Sequence, residues 1–310
     1  MDGLVARSLS KTYRGTSGLV RALDNVDMTI AKGRLFAFLG RNGAGKTTFL
    51  KIASALLLPT AGTVHLFGID VVEHAREVRE QIAIVPQEGK PFYHLTPREH
   101  VEEYLRVRGA TRETAKSRAD EVLEGMGLLS YQHIPAMVLS GGLQQRTLVA
   151  MVLATEARFL FLDEPTLGMD PFARRQVWDV IRHAARKGST VLLTTHYLDE
   201  AEQLSEELAV IEGGHVLYQG TPEALKSKVR QEIRLHFDGG FTREELSSYG
   251  EVFAERGGFT LLTTRDRVEE LTRRALERKV AITVGPVTLE EAFLTLVGRA
   301  IEEEDAEALA

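Results

Sequence analysis

An eight-residue segment in the first fifth of this 310-residue chain constrains its fold more than any other feature. The segment, Gly40-Arg41-Asn42-Gly43-Ala44-Gly45-Lys46-Thr47, matches the pattern GxxxxGK[ST] in full. Its glycines let backbone N–H groups converge on a phosphate, and a helix that starts near Gly45 points its positive end at the same anion. The alternative is a glycine turn followed by a chance Lys-Thr pair. An apolar run at 35–39 and helical spacing over 46–57 favour the phosphate loop, as the first βα unit of an open parallel sheet.

A second apolar run, Phe159–Leu162, predicts a buried strand that ends in two carboxylates, Asp163 and Glu164. Phosphate-loop ATPases place an aspartate there to hold Mg²⁺, and the next residue can orient or deprotonate the attacking water. In that arrangement Lys46 meets the β- and γ-phosphates and Thr47 is a further Mg²⁺ ligand. The alternative is a strand end with two solvated acids. The phosphate loop in the same chain favours the functional interpretation.

The composition argues against several other classes of protein. The net charge of −6 disfavours a dedicated nucleic-acid binder, which needs Lys and Arg to neutralise phosphates. The sequence has no cysteine, which excludes disulfides, thiolate metal sites and cysteine nucleophiles. Its longest apolar runs, such as 148–154, are far shorter than the roughly 20 residues that span a bilayer. We therefore expect any role at a membrane to depend on a partner.

The distribution of strand and helix patterns predicts more than one domain. Residues 3–31 contain short β-rich runs typical of an antiparallel element, whereas Thr96–Glu99 is a candidate capping box at the start of a mostly helical region. After Thr221-Pro222 short strands alternate with helices, and one of these strands is expected at 280–284. The predicted division is a domain at 3–222 with a helical subdomain at about 90–155, a small α+β domain at 223–300, and a frayed acidic tail at 301–310.

Further motifs resemble those of a known family, the ATP-binding subunits of ABC transporters. The segment Leu139–Arg146 resembles the LSGGQ signature, which is a backbone anion cradle with Ser140 as the helix N-cap. Alone, this segment would be assigned to an ordinary helix cap. Four single positions also resemble family motifs in the family's order: the adenine-stacking aromatic Tyr13, the Q-loop glutamine Gln87, the D-loop aspartate Asp170 and the switch histidine His196. Each of these residues alone could be an ordinary surface or core residue, and only their occurrence together in the family's order favours the resemblance.

The resemblance covers residues 3 to about 222 and departs from the common pattern at Leu143 and Met169, where many relatives have Gln and Leu. It implies an α/β fold, the P-loop NTPase cassette with a mixed sheet core, an antiparallel β subdomain and a helical subdomain. It also implies an ATPase that powers a separate transmembrane permease from the cytoplasmic face, uses ATP and Mg²⁺, binds no nucleic acid and forms a homodimer on ATP binding.

The residues that the resemblance implies fall into four groups. The catalytic group is Glu164, His196, Gln87 and Lys46. The ATP-binding group is Tyr13, Gly40, Arg41, Asn42, Gly43, Ala44, Gly45, Lys46, Thr47 and Thr48. Signature residues that act on the partner's nucleotide are Ser140, Gly141, Gly142 and Gln144, with Asp170 in the D-loop. The metal group is Thr47, Gln87 and Asp163.

A weaker resemblance concerns Val287–Leu294, which is similar to the "SLEDVFL" ending of daunorubicin- and multidrug-export-type ATPases and favours export. Any terminal amphipathic helix has the same spacing. The role of 223–300 stays open between dimer stapling, regulation and stability. The aromatic stretch 91–95 is either a small satellite core or the groove for a permease helix. The competing functions are a soluble, non-transport ATPase of the same superfamily and a module that senses ATP without hydrolysing it.

Overall fold

The computed structural model describes residues 2–15, 18–229, 231–255 and 257–308, without the side chains of residue 299 and of residues 301–308. The chain divides into two compact units, Met1–Gly220 and Thr221–Ala310. Each unit has its own sheet system and its own hydrophobic core. No helix of the described residues is long and apolar enough to cross a bilayer.

The described residues of the first unit form ten strands and seven α-helices. The strands are β1 (Asp2–Gly15), β2 (Gly18–Ala31), β3 (Leu35–Leu39), β4 (Ala61–Leu66), β5 (Ile69–Asp70), β6 (Ile82–Val85), β7 (Phe159–Asp163), β8 (Thr190–Thr195), β9 (Glu207–Glu212) and β10 (His215–Gly220). The helices are α1 (Lys46–Ala53), α2 (Ala75–Gln81), α3 (Pro97–Val107), α4 (Arg112–Gly125), α5 (Gly141–Leu153), α6 (Pro171–Arg186) and α7 (Leu198–Leu204).

The central sheet of this unit has the strand order β10-β9-β3-β8-β7-β6. Its strands run parallel except for β10, which forms a hairpin with β9. Every residue of β3, β7 and β8 is buried, because a parallel strand covered on both faces needs a continuous apolar sequence. The carboxyl ends of these three strands therefore lie at one edge of the sheet, where the loops after them can meet.

A second sheet, β2-β1-β4-β5, covers one side of the unit. The two long strands β1 and β2 pair antiparallel from Asp2 and Ala31 to Gly15 and Gly18, which confirms the predicted antiparallel element. The hydrophobic core lies between this sheet, α1 and the central sheet, and it includes Phe38 and Phe49, whose rings contact each other edge to face at 5.2 Å. The core holds α1 against the sheet and thereby places the start of that helix.

The helical region begins where the sequence predicts it. Thr96 accepts a hydrogen bond from the Glu99 backbone, and the Glu99 side chain accepts one from Thr96 N, so the predicted capping box is confirmed. Helices α3, α4 and α5 pack on one another, with Thr111 and Ser140 as N-caps of the second and third. Helix α1 ends at Ala53, four residues before the predicted end, because Ala55 takes a left-handed conformation with φ of 57°.

The second unit consists of a four-stranded antiparallel sheet and four helices among its described residues. The strands are β11 (Ile233–Phe237), β12 (Glu251–Glu255), β13 (Gly258–Thr263) and β14 (Ile282–Pro286), in the order β12-β13-β11-β14. The helices are α8 (Pro222–Lys226), α9 (Arg243–Ser247), α10 (Arg265–Glu277) and α11 (Leu289–Ala308).

Two segments of this unit differ from the prediction. The strand expected at 280–284 begins at Ile282 and ends at Pro286, because Lys279 takes φ of 55° and the chain uses two more residues to leave α10. Helix α11 enters the predicted acidic tail up to Ala308. The side chains of that tail and residues 309 and 310 lie outside the described residues.

Candidate active site

The phosphate loop joins β3 to α1 at the carboxyl edge of the central sheet. Two of its glycines are required by their surroundings. A Cβ at Gly40 would lie 2.4 Å from the Ile211 carbonyl oxygen. A Cβ at Gly45 would lie 2.4 Å from the Ala22 carbonyl oxygen, and Gly45 also has φ of +111°. The loop therefore passes close to its neighbours, and α1 begins directly after it with its backbone N–H groups free to receive an anion.

Lys46, the first residue of α1, is buried and turns back over the loop. Its Nζ donates hydrogen bonds to the carbonyl oxygens of Gly40, at 2.7 Å, and Arg41, at 3.0 Å. Burial lowers the pKa of the Lys46 ammonium, and the carboxylates of Glu164 and Asp163 oppose that shift. The side chain thus places a cation beside the loop, in contact with its backbone.

Three oxygen ligands from three different segments converge next to the loop. The Thr47 hydroxyl lies 3.4 Å from Gln87 Oε1 and 3.3 Å from Asp163 Oδ1. Thr47 comes from α1, Gln87 follows β6 and Asp163 ends β7. One carboxylate with a hydroxyl and an amide oxygen suits Mg²⁺, which keeps several waters and rarely uses an all-protein cage. Among the described residues, no three His, Cys, Asp or Glu side chains are grouped so that they could hold a metal ion.

Glu164 and His196 form a contact pair beside these ligands. His196 Nδ1 lies 2.7 Å from Glu164 Oε2, and the glutamate side chain is almost fully buried. Burial raises the pKa of Glu164, while His196 and Lys46 oppose the shift. Glu164 also takes φ of 52°, a left-handed conformation that costs a non-glycine residue on the order of 1–3 kcal/mol. Such strain is typical of functional sites.

Thr194 links the Asp163 carboxylate to the Glu164 backbone, and the sequence analysis did not predict it. Its hydroxyl donates to Asp163 Oδ1 and accepts a hydrogen bond from the Glu164 backbone N–H at 3.1 Å. The Thr194 carbonyl accepts from the same N–H at 3.2 Å. Thr194 is part of an ordinary β-rich strand, and its role depends on the neighbouring strand, so no local signal could have revealed it.

A cavity of about 200 Å³ opens where these groups meet. It is lined by Ala22, Asn42, Gly43, Gly45, Lys46, Thr47, Thr48, Gln87 and Glu164. All but Ala22 were predicted site residues. Tyr13 lies at the same place, with its hydroxyl 3.4 Å from Thr48 Oγ1 and its side chain partly exposed. An aromatic ring here is available to stack on a planar base.

The signature segment caps α5. The Ser140 hydroxyl accepts a hydrogen bond from Leu143 N at 3.4 Å, which confirms Ser140 as the N-cap. Gln144 turns back towards its own chain and donates to the carbonyl oxygens of Ala136, at 2.9 Å, and Leu139, at 3.1 Å. None of the four predicted signature residues lines the cavity described above. One chain therefore does not bring its signature segment to its own phosphate loop.

Asp170 is the N-cap of α6 rather than a lining residue of the cavity. It accepts hydrogen bonds from the backbone N–H groups of Phe172, at 2.9 Å, and Ala173, at 3.0 Å, and these bonds lower the pKa of its carboxyl. The D-loop, residues 167–171, approaches the signature helix α5, because a Cβ at Gly142 would lie 3.5 Å from the Gly168 carbonyl oxygen. The D-loop and the signature segment are thus adjacent in the fold.

Comparison with known proteins identifies relatives along nearly the whole chain. The ABC transporter family matches residues 23–167. The daunorubicin/doxorubicin resistance ATP-binding protein DrrA of Streptomyces peucetius is 35% identical over 313 residues, which cover 96% of this chain and 93% of that protein. The Nod factor export ATP-binding protein I of Burkholderia orbicola (strain AU 1054) is 34% identical over 301 residues, covering 96% and 97%.

A solved structure is similar to a large part of the chain. It is the ATP-binding cassette MJ0796, a dimer in a post-hydrolysis state bound to ADP and Pi. The TM-score is 0.65 at 27% identity, and the match covers 70% of this chain and 98% of that one. This likeness confirms the predicted α/β cassette fold.

Proposed function

The chain belongs to the ABC transporter family, as an ATP-binding subunit that hydrolyses ATP, and from that premise we propose how its residues perform this work. One observation carries the proposal. Three separate segments supply Lys46 and Thr47, Gln87, and Asp163 and Glu164, and the fold gathers these residues beside the phosphate loop.

The phosphate loop binds the β- and γ-phosphates through its backbone N–H groups, and the Lys46 ammonium moves from the loop carbonyls onto the phosphate oxygens. Tyr13 stacks on the adenine. Thr47, Gln87 and Asp163 would hold Mg²⁺, whose charge neutralises the phosphates as the bond to the leaving group breaks. The oxygen-only ligand set supports this choice of metal.

Glu164 acts as the general base in this proposal. Its buried carboxylate takes the proton of the attacking water, and its raised pKa brings it nearer to the range in which a carboxylate accepts protons effectively. The 2.7 Å contact with His196 Nδ1 orients the carboxylate and leaves Nε2 of the imidazole available for the γ-phosphate. Charge that develops on the phosphoryl oxygens is met by Lys46 and His196.

The signature residues act on the nucleotide of a second copy. Ser140, Gly141 and Gly142 lie at a helix N-terminus suited to an anion, yet they do not line their own chain's cavity. A two-fold axis makes the missing contact reciprocal, so that each copy completes the site of the other when ATP binds. Gln144 holds the loop before the cap in this scheme, because its amide already donates to two carbonyl groups of its own chain.

The partner driven by this ATPase is a separate transmembrane permease, met at the cytoplasmic face. The proposed docking surface consists of Phe92, Tyr93, Met137 and Val138, which are 51% to 76% exposed. Met137 N donates to the Tyr93 carbonyl at 2.9 Å, so the two halves of the surface are joined. The second half runs directly into Leu139 and the signature segment, which offers a short path from the permease to the nucleotide.

Export is the proposed direction, because the names of both curated relatives describe drug resistance or export. A soluble, non-transport ATPase is not favoured by these relatives. The net charge of −6 supports the absence of a nucleic-acid partner. The domain division at 3–222, 223–300 and 301–310 also stays a proposal, and it is supported by the two compact units.

The assigned roles are tested with two variants in a steady-state ATPase assay and an ATP-binding assay. Glu164→Gln should bind ATP as the wild type does, lose turnover and accumulate as an ATP-bound dimer in size-exclusion chromatography. Lys46→Ala should lose ATP binding or turnover. Normal hydrolysis by Glu164→Gln would remove Glu164 as the base, and a fully active Lys46→Ala would overturn the phosphate-loop assignment.

The docking surface is tested by site-directed cross-linking, which is unambiguous because the chain has no cysteine of its own. Tyr93→Cys should cross-link to a co-purified membrane protein. Val107→Cys, at a more exposed position at the end of α3, is the control and should not cross-link. Equal labelling from both positions would contradict the assignment of the surface.

A further inference from the structure

Glu200 is a buried carboxylate to which the mechanism above gives no role. It lies on α7 with 0% of its surface exposed, and its Oε1 accepts two hydrogen bonds. The Thr166 hydroxyl donates at 2.8 Å and the Trp178 indole N–H at 2.9 Å. A carboxyl group in such a position is costly unless its hydrogen bonds are made. Its other oxygen, Oε2, is buried without a hydrogen-bond partner, and burial raises the pKa of Glu200, opposed by the hydrogen bonds from Thr166 and Trp178.

The partners of Glu200 lie on the segments that carry the reacting groups. Thr166 stands two residues after Glu164, and Glu200 itself stands four residues after His196, in the first turn of the helix that follows it. Trp178 belongs to α6, the helix that the D-loop leads into. Glu200 itself does not line the nucleotide cavity, so it has no direct contact with the substrate in this arrangement.

We propose that Glu200 is a positioning residue that holds the Glu164 segment and the His196 segment against each other. Glu164 sits in a strained left-handed conformation, and such a conformation persists only when its surroundings over-determine it. The Thr166 hydrogen bond anchors the turn that follows Glu164, in which Leu167 N donates to the Glu164 carbonyl at 3.2 Å. Without this anchor the Glu164–His196 contact loosens, and a displacement of 1 Å in a reacting group can lower the rate ~100-fold.

This inference rests on the proposed roles of Glu164 and His196. A positioning role and a purely structural role of Glu200 predict different effects of its substitution. A positioning role lowers kcat while the phosphate loop still binds ATP normally. A purely structural role lowers the melting temperature and leaves kcat of the folded protein unchanged.

The test measures kcat, the KM for ATP and the melting temperature of the full chain. Glu200→Ala should lower kcat by at least about tenfold, with the KM for ATP within about twofold of wild type. Glu200→Gln keeps an oxygen for both donors and should retain kcat within about threefold, as rescue by the conservative variant. Thr166→Val and Trp178→Phe each remove one donor, so each should lower kcat and leave KM unchanged, and they carry the test if Glu200→Ala does not fold.

Thr190→Val is the matched control. Thr190 is fully buried on the same strand as Thr195, and its hydroxyl accepts a hydrogen bond from Gly33 N at 2.9 Å, at the end of the strand away from the site. It should lower the melting temperature without lowering kcat. A folded Glu200→Ala protein with wild-type kcat would overturn the inference, and so would a loss of kcat in Thr190→Val as large as in Thr166→Val. Glu164→Gln belongs in the same series, because normal turnover by that variant would refute the proposed function itself and not only the role of Glu200.

Discussion

Replacing Thr194 by valine isolates the contribution of one hydroxyl to the positions of Asp163, the proposed Mg²⁺ ligand, and Glu164, the proposed base. Valine has nearly the same shape, and the Thr194 side chain is fully buried, so the change removes hydrogen bonds without leaving a cavity. The hydroxyl donates to Asp163 and accepts from Glu164 N. After the substitution Glu164 N keeps the Thr194 carbonyl at 3.2 Å, and Asp163 keeps the Thr47 hydroxyl at 3.3 Å.

The expected loss of stability follows from what is left unpaired. The substitution removes the hydrogen bond that the buried Asp163 carboxylate accepts from Thr194, and hydrogen bonds to charged groups contribute about 1.5–3 kcal/mol. We therefore expect the free energy of unfolding to fall by about 2 kcal/mol. For a unit of this size, that corresponds to a decrease in melting temperature of about 4–8 °C.

The same substitution should also weaken Mg²⁺ binding. Outer-shell partners of a metal ligand typically change metal affinity or activity by about 10–100-fold when they are removed. An ATPase assay titrated with Mg²⁺ should show half-maximal activity at about tenfold higher Mg²⁺ for Thr194→Val. Thr190→Val should melt at a lower temperature but keep the wild-type Mg²⁺ titration. An unchanged Mg²⁺ titration and melting temperature in Thr194→Val would refute the reasoning.

Two further predictions concern the loop glycine and a buried histidine. Gly45→Ala places a Cβ against the Ala22 carbonyl oxygen and should weaken ATP binding at least about tenfold in a fluorescent-nucleotide titration. Gly33→Ala is the control, because Gly33 also has a positive φ but a Cβ there would meet open space. An equal loss of ATP binding in Gly33→Ala would contradict the steric argument. Burial lowers the pKa of His100 below its usual 6.5, although the Thr96 carbonyl and Glu99 favour the charged form. As the pH falls, His100 is therefore protonated in the unfolded chain at a higher pH than in the folded protein. The wild type should therefore lose stability relative to His100→Gln as the pH falls below 6.5 in thermal melts, and parallel curves for the two proteins would exclude this role.

The long, strongly patterned elements could be predicted from the sequence. Strand β7 coincides with the predicted apolar run that ends in Asp163, because a continuous apolar run is typical of a strand buried on both faces in a parallel sheet. The capping box at Thr96 was predictable because both of its bonds are local. Short elements such as α9 and β5 were missed, since five or two residues carry too little periodicity.

The arrangement of the site was predictable only in part. Motif order predicted which residues are relevant, and the structure brings Lys46, Thr47, Gln87 and Asp163 together, although their roles stay predictions. The strained conformation of Glu164 and the links made by Thr194 and Glu200 depend on contacts between segments about 30 residues apart. No local pattern encodes such contacts. The inward turn of Gln144 was likewise invisible, because it depends on carbonyl groups exposed by the loop before the cap.

The most direct test of the central claim is a crystal structure of the Glu164→Gln variant with Mg²⁺ and ATP. The account predicts two copies closed around two nucleotides, each with its phosphates between Lys46 of one copy and Ser140 of the other. A nucleotide held wholly by one copy, with every Ser140 remote from the γ-phosphate, would contradict it.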